Sequence, residues 1–264
     1  MSHQRREQDT SKKSLSITKG IPRMLELEEE GVVAEDFSYV EEGFEDWKRG
    51  RFLKGGRVWE AINIRTGVLA AVKEIDASET SKRKQRELAI LRRLRHPNVV
   101  EYYAHYKIKN KIYLIMELVP LSLRRFYLSY GPPPTDTFLF FARQLLTVFA
   151  ELHRQRIFHQ DLKCENVLLT HAGTLKLCDF GLSKQFTNTL SLLKDKEGLD
   201  QTFLQTCWWT PPEKLRGDPY DRGQADIWSI GCTLVELLSG EFPWHYKTFA
   251  KNRLEVARHI IDSN

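Results

Sequence analysis

The chain has 264 residues, with 40 Lys plus Arg against 35 Asp plus Glu, a formal net charge of +5, 41% hydrophobic and 28% charged content. These values suit a soluble globular protein of one large or two small domains. A charge this mild, with no basic stripe interleaved with aromatics, argues against nucleic acid, and no apolar run reaches membrane-spanning length.

The start, Met1-Ser2-His3-Gln4-Arg5-Arg6, leads into polar sequence and carries no secretory pattern. Residues 1–42 are charged and poor in core formers, basic at first and acidic around Glu28-Glu29-Glu30, which predicts a disordered arm. From Trp47 the texture changes. Arg57–Ile64 alternates as a strand does, and Leu69–Ile75 follows after the turn Arg65-Thr66-Gly67. Ser78–Arg95 has Leu88, Ile90, Leu91 and Leu94 at helical spacing and stops at His96-Pro97-Asn98, because a residue before proline leaves helical space. Val99–Tyr106 and Lys111–Leu118 read as two more strands. Beyond Pro120 the chain turns helical. Thr135–Arg156 carries an apolar face of Phe138, Phe141, Leu145, Val148, Phe149 and Leu152, and Asp226–Ser239 reads as a buried helix. A sheet-rich part thus precedes a helix-rich part, an α+β arrangement with a cleft between them.

Four cysteines, Cys164, Cys178, Cys207 and Cys232, lack C-x-x-C spacing, so neither a zinc site nor a disulfide framework is expected. Cys178 and Cys232 sit in apolar runs as small core residues, and the usage suits a reducing, cytoplasmic compartment.

The chemistry concentrates in Ile157–Thr170. His159, Asp161, Lys163 and Asn166 form H-x-D-x-K-x-x-N, and Asp179-Phe180-Gly181 follows the apolar run Leu175–Cys178. Taken singly, H-Q-D-L-K is an ordinary polar loop. In order and together, the two motifs resemble the catalytic and metal-binding loops of eukaryotic protein kinases. The resemblance runs from about Trp47 to the end. Its texture is that of the MAP kinase kinase kinase group, of the MEK-kinase type, in Trp47…Gly50, Val72-Lys73-Glu74-Ile75, Arg95–Tyr102 and Gly240–His245.

The resemblance implies a bilobal fold: a small antiparallel-sheet lobe with one helix (about 43–117), a hinge (about 117–120) and a mainly helical lobe (about 121–264) incomplete at its C-terminal end. It also implies roles. Phosphoryl transfer asks a protein to position groups and neutralise charge. Asp161 would accept the proton of a substrate hydroxyl. Lys163 would place a cation near the transferred group and goes with Ser/Thr specificity. Asn166 and Asp179 would hold Mg2+, which takes hard oxygen ligands. Lys73 would contact the phosphates of ATP and pair with Glu87. Met116 would gate the adenine pocket, the backbones of Glu117 and Val119 would meet the adenine edge, and Val58, Ala71 and Leu168 would sandwich the ring. The implied partner is a protein substrate, a MAP kinase kinase in that group, with no membrane, and nothing fixes the oligomeric state.

Three departures stand out. Gly56-Arg57-Val58 matches the end of the family's glycine-rich loop, but Leu53 to Val58 is about three residues short of that pattern. Lys54-Gly55-Gly56-Arg57 is expected to make a two-residue hairpin without the tip that covers phosphates, and nucleotide is expected to bind weakly. Gln160 stands where the family has the Arg that receives an activation-loop phosphate. Thr206-Cys207-Trp208-Trp209-Thr210-Pro211-Pro212-Glu213 resembles the end of the activation segment, with Trp209 in an aromatic position and Glu213 expected to be buried without its usual Arg partner. Besides an active Ser/Thr kinase, two readings stay open: a catalytically weak interaction module of the same fold, and a phosphotransferase acting on a small molecule.

Overall fold

The computed structural model describes residues 43–54, 57–76, 82–185, 207–244 and 253–262, the side chains of 76, 82–87, 184, 185, 253 and 254 excepted. The expected N-terminal arm lies outside them, and so do the tip residues Gly55 and Gly56.

Five strands open the fold: β1 (Trp47–Lys54), β2 (Val58–Asn63), β3 (Leu69–Asp76), β4 (Tyr102–Ile108) and β5 (Lys111–Glu117). They form one antiparallel sheet in the order β1-β2-β3-β5-β4, with α1 (Lys82–Arg93) between β3 and β4. Alternation along the strands decides what each face carries. Trp59, Ala61, Ala70, Val72 and Ile115 point to one side and make a core that Phe44, Trp47, Tyr103 and Tyr113 cover. The other face belongs to the site. Val58 pairs with Lys73, and Ala71 with Met116.

The expected strand Val99–Tyr106 begins later, at Tyr102, and extends to Ile108. Val99 and Val100, both buried, instead dock on a strand of the second half. Val99 bridges Leu177 in parallel, and the Val100 N–H donates to the Leu177 carbonyl at 2.9 Å. Asn98 completes this seam by donating to Gln144 and to the Leu175 carbonyl, both at 2.8 Å.

The second half holds β6 (Leu121–Ser122), α2 (Leu123–Tyr130), α3 (Thr135–Arg154), β7 (Ile157–Phe158), β8 (Val167–Leu169), β9 (Leu175–Leu177), β10 (Lys184–Gln185), α4 (Pro212–Arg216), α5 (Arg222–Ser239) and α6 (Arg253–Asp262). Ser122 caps α2 by accepting from the Arg125 N–H, and Asp221 caps α5 by accepting from the Gln224 N–H. The apolar stripe of α3 is core as expected: Phe141, Leu145, Val148, Phe149 and Leu152 are buried, with Phe138 half-buried. Helix α5 starts before Asp226 and is buried on one face only, leaving Ile227, Val235 and Leu238 exposed. Glu213 also departs from expectation. It is half-buried, in the first turn of α4, where a carboxylate suits the unpaired N–H groups of a helix start. All four cysteines are free. Cys232 is buried as expected and Cys178 partly so. A sheet lobe followed by a helical lobe is the α+β arrangement of protein kinases.

Candidate active site

The site is built where the free face of the sheet meets the loop His159–Asn166 and the residue after β9. One buried carboxylate sets the loop. Asp226, with 0% exposure at the first turns of α5, accepts from the backbone N–H groups of His159 (2.9 Å) and Gln160 (2.8 Å) and sits 3.0 Å from His153 Nε2. A buried carboxylate persists only with such donors. His159 is itself buried. Its Nδ1 accepts from the Asp161 N–H at 3.3 Å, so Nε2 carries the proton and donates to the Cys178 carbonyl at 3.2 Å. The same ring packs edge-on against Phe180, at 4.9 Å. His159 thereby links the Asp161 and Asp179 segments.

The expected polar residues then converge. Lys163 Nζ stands 3.1 Å from both oxygens of Asp161. Asn166, fully buried, donates through Nδ2 to the Asp161 carbonyl and to Asp161 Oδ2, each at 2.8 Å. These two hydrogen bonds turn Asn166 Oδ1 away from Asp161 and towards Lys54 of the sheet lobe. Asp179 has φ +66°, a left-handed conformation that a non-glycine residue holds only when its surroundings impose it. Its Oδ1 lies 3.0 Å from Lys73 Nζ. Burial works to raise the Asp179 pKa, but the ammonium groups of Lys73 and Lys54 outweigh it and hold the carboxyl well below its ordinary range. The side chain keeps 34% of its surface accessible, which limits the cost of holding it charged.

Lys54 is the residue that sequence reasoning missed. Its Nζ donates to Asn166 Oδ1 at 2.7 Å and lies 3.7 Å from both Asp179 Oδ2 and Glu165 Oε1. Burial lowers its pKa and the carboxylate of Asp179 raises it, with smaller pulls from Cys178, Glu165 and Asp161, and the net is upward. The expected two-residue hairpin would have paired Lys54 with Arg57 and turned it from the site; the observed register does otherwise. Lys54 pairs directly with Val58, and directly paired residues share a sheet face, so a residue opposite an expected ring contact must face the site. The Arg57 N–H donates to the Lys54 carbonyl at 3.2 Å, but the register pairs Lys54 with Val58, not with Arg57 as a two-residue hairpin would, and the tip itself lies outside the described residues.

Around the expected ring site, Val58, Ala71 and Met116 share the free sheet face, while Leu168 is half-buried on β8 and Val119 is 7% exposed after β5. The Glu117 N–H donates to the Glu101 carbonyl at 2.8 Å, and its side chain meets Lys176 Nζ at 2.8 Å. The side chain of Glu87, on α1, and Gly56 lie outside the described residues, so their expected contacts do too. Gln160, also at φ +66°, is saturated locally. Its amide donates to the Arg222 carbonyl and to Asp226, and its oxygen accepts from Lys214 Nζ and the Tyr220 hydroxyl. Below the loop, Glu236 is buried and accepts from the Tyr127 hydroxyl, the Cys164 N–H and Trp209 Nε1. Trp209 thus fills the expected aromatic position and adds a hydrogen bond.

The donor set fits magnesium. Asn166 Oδ1 and Asp179 Oδ2 are hard oxygens that both contact one cation, Lys54 Nζ, so a single ion can reach both. Among the described residues no cluster of three or more His, Cys, Asp or Glu assembles a metal cage.

Fold and site together define the class of the protein kinases. The protein kinase domain family matches residues 52–263, and the chain belongs to it. It is 34% identical over 223 residues to the mitogen-activated protein kinase kinase kinase MST11 of Pyricularia oryzae, covering 76% of this chain and 24% of the relative. It is 33% identical over 222 residues to the mitogen-activated protein kinase kinase kinase ANP1 of Arabidopsis thaliana, covering 77% and 32%. It is 36% identical over 210 residues to CBL-interacting protein kinase 12 of Oryza sativa subsp. japonica, covering 75% and 37%. The chain therefore spans about a quarter to two fifths of these relatives' length, and it resembles Ser/Thr protein kinases, the MAP kinase kinase kinase group among them.

Proposed function

We propose that this chain is a protein serine/threonine kinase that transfers the γ-phosphoryl group of ATP to a protein hydroxyl. The observation that supports it is the continuous contact chain Lys163–Asp161–Asn166–Lys54–Asp179–Lys73, every link at 3.7 Å or less. In this reading Asp161 orients the substrate hydroxyl and accepts its proton, Lys163 stands beside the transferred group, and Lys73 holds phosphate oxygens. Val58, Ala71 and Leu168 enclose the adenine, Met116 closes the back of its pocket, and Glu117 and Val119 present backbone groups to its edge. Asn166 and Asp179 would hold Mg2+, which supplies charge neutralisation for the phosphates when bound.

The MAP kinase kinase kinase resemblance and the names of two of the relatives support a MAP kinase kinase as substrate. The comparable identity to a CBL-interacting kinase makes that the finer part of the proposal. An intracellular site of action fits four free cysteines, and no described helix is long and apolar enough to cross a membrane. Gln160, engaged with Lys214, Tyr220 and Arg222, supports activity that depends less on an activation-loop phosphate than the family pattern implies.

The test is transfer from labelled ATP to a MAP kinase kinase and to the chain itself, with Asp161→Asn as the control. Loss of about 10²–10⁴-fold in transfer, with ATP binding retained, is expected for removal of the proton acceptor. Equal background signal from both proteins would support the second reading, a catalytically weak interaction module of the same fold.

A further inference from the structure

Lys54 does something that a surface lysine seeking a carboxylate does not do. Its shortest contact is a neutral amide oxygen, Asn166 Oδ1 at 2.7 Å, while the carboxylates of Asp179 and Glu165 stand off at 3.7 Å. That amide oxygen is aimed by the rest of the site, because Asn166 Nδ2 is held by two bonds to Asp161. The lysine is aimed as well. It ends β1, faces Val58 across the pair, and is clamped by the Arg57 N–H on its carbonyl. Two oxygens suited to a divalent cation, on two different segments, thus meet a cation that the chain itself provides.

An ammonium carries three donors and one charge. With one donor on Asn166 Oδ1, the other two face Asp179 Oδ2 and Glu165 Oε1, each at 3.7 Å, and a phosphate oxygen would take the place of Glu165, whose side chain is 44% exposed. We propose that the Lys54 ammonium is a tethered substitute for a divalent cation: it occupies the Asn166–Asp179 oxygen pair and lets the site hold the phosphates of a nucleotide without metal. This rests on the nucleotide reading above and deepens it. A side chain at the root of a short turn then does part of the work for which a longer glycine-rich loop and an ion are otherwise needed. Lysine and metal exclude one another at this pair, so each weakens the other's hold by the same factor.

Two measurements test it on the whole chain, with Lys54→Met and Lys54→Gln beside wild type and circular dichroism to confirm folding. In the first, binding of a fluorescent ATP analogue is titrated in EDTA and in magnesium. Wild-type affinity is expected to differ by less than about threefold between the two, whereas both variants lose about tenfold or more in EDTA and recover in magnesium. In the second, Mn2+ binding to the nucleotide-free proteins is followed by electron paramagnetic resonance. Both variants are expected to bind Mn2+ about tenfold more tightly than wild type. The proposal is overturned if the variants share wild type's magnesium dependence, or if all three proteins bind Mn2+ alike. Wild type that binds no ATP analogue in either buffer sinks the nucleotide reading instead, and the manganese titration still reports whether Lys54 holds the oxygen pair.

Discussion

Asp226 and Lys54 hold opposite walls of the same site by different means. Asp226 has no exposed surface, accepts from two backbone N–H groups, and fixes the loop His159–Asn166 to α5 from beneath. Lys54 keeps 37% of its side chain accessible and ties the β1–β2 hairpin to the same loop through its ammonium alone. The lower wall is a packed, hydrogen-bonded scaffold. The upper wall is a ribbon edge held to the site by charge. A kinase site needs its proton acceptor and metal ligands held still, whereas the element above the phosphates must admit and release a nucleotide.

The sharpest way to break this comparison is Asp226→Ala. It leaves the N–H groups of His159 and Gln160 buried and unpaired, and a loss of about 3–5 kcal/mol in unfolding free energy is expected by denaturant titration. Asp226→Asn keeps one acceptor oxygen and should cost less. If Asp226→Ala unfolds at the wild-type denaturant midpoint, the lower wall is not the scaffold described.

Next in size is Trp209→Phe, which removes one donor from buried Glu236 and keeps the aromatic packing. The expected cost is about 1–2 kcal/mol. Glu236 also gives a pH signature. Burial raises its pKa against the opposing hydrogen bonds of Cys164, Tyr127 and Trp209. Below the unfolded value both states hold the proton. Above it the unfolded chain ionises first, so the native state binds more protons and stability falls as pH rises, until the raised folded value is passed. Thermal unfolding across that window should show the decline in wild type and a flatter profile in Glu236→Gln. A steeper profile in the variant contradicts the assignment.

How much of this was legible follows from the same contrast. The lower wall could be read because its residues sit at fixed spacings in one short loop: His159, Asp161, Lys163 and Asn166 meet as the motif requires. The grouping of Val58, Ala71, Lys73 and Met116 was implied by the family resemblance, and the strand register puts them on one sheet face. Asp226 was seen as the start of a helix and not as the anchor of the loop, because its partners lie 66 and 67 residues away and are backbone groups without a sequence signature. Val99 and Val100 were assigned to a strand because two β-branched residues read that way. Docking on Leu177 outweighed that preference. Glu213 was expected to be buried by analogy with the family, and its local helix start settles it otherwise.

The smallest expected effect tests the upper wall. Arg51 on β1 meets Glu60 on β2 at 3.2 Å, and the arginine side chain is 70% exposed. An exposed pair of this kind gains little in high dielectric and is screened by salt. Arg51→Ala should therefore change stability by less than about 0.5 kcal/mol, and added salt should shrink the difference further. The hairpin has little else to lose there, because Phe52 beside it is 58% exposed. A cost as large as that of Trp209→Phe, and unmoved by salt, would mean that the hairpin is held by packing, and the division between a fixed lower wall and a charge-tethered upper one would not stand.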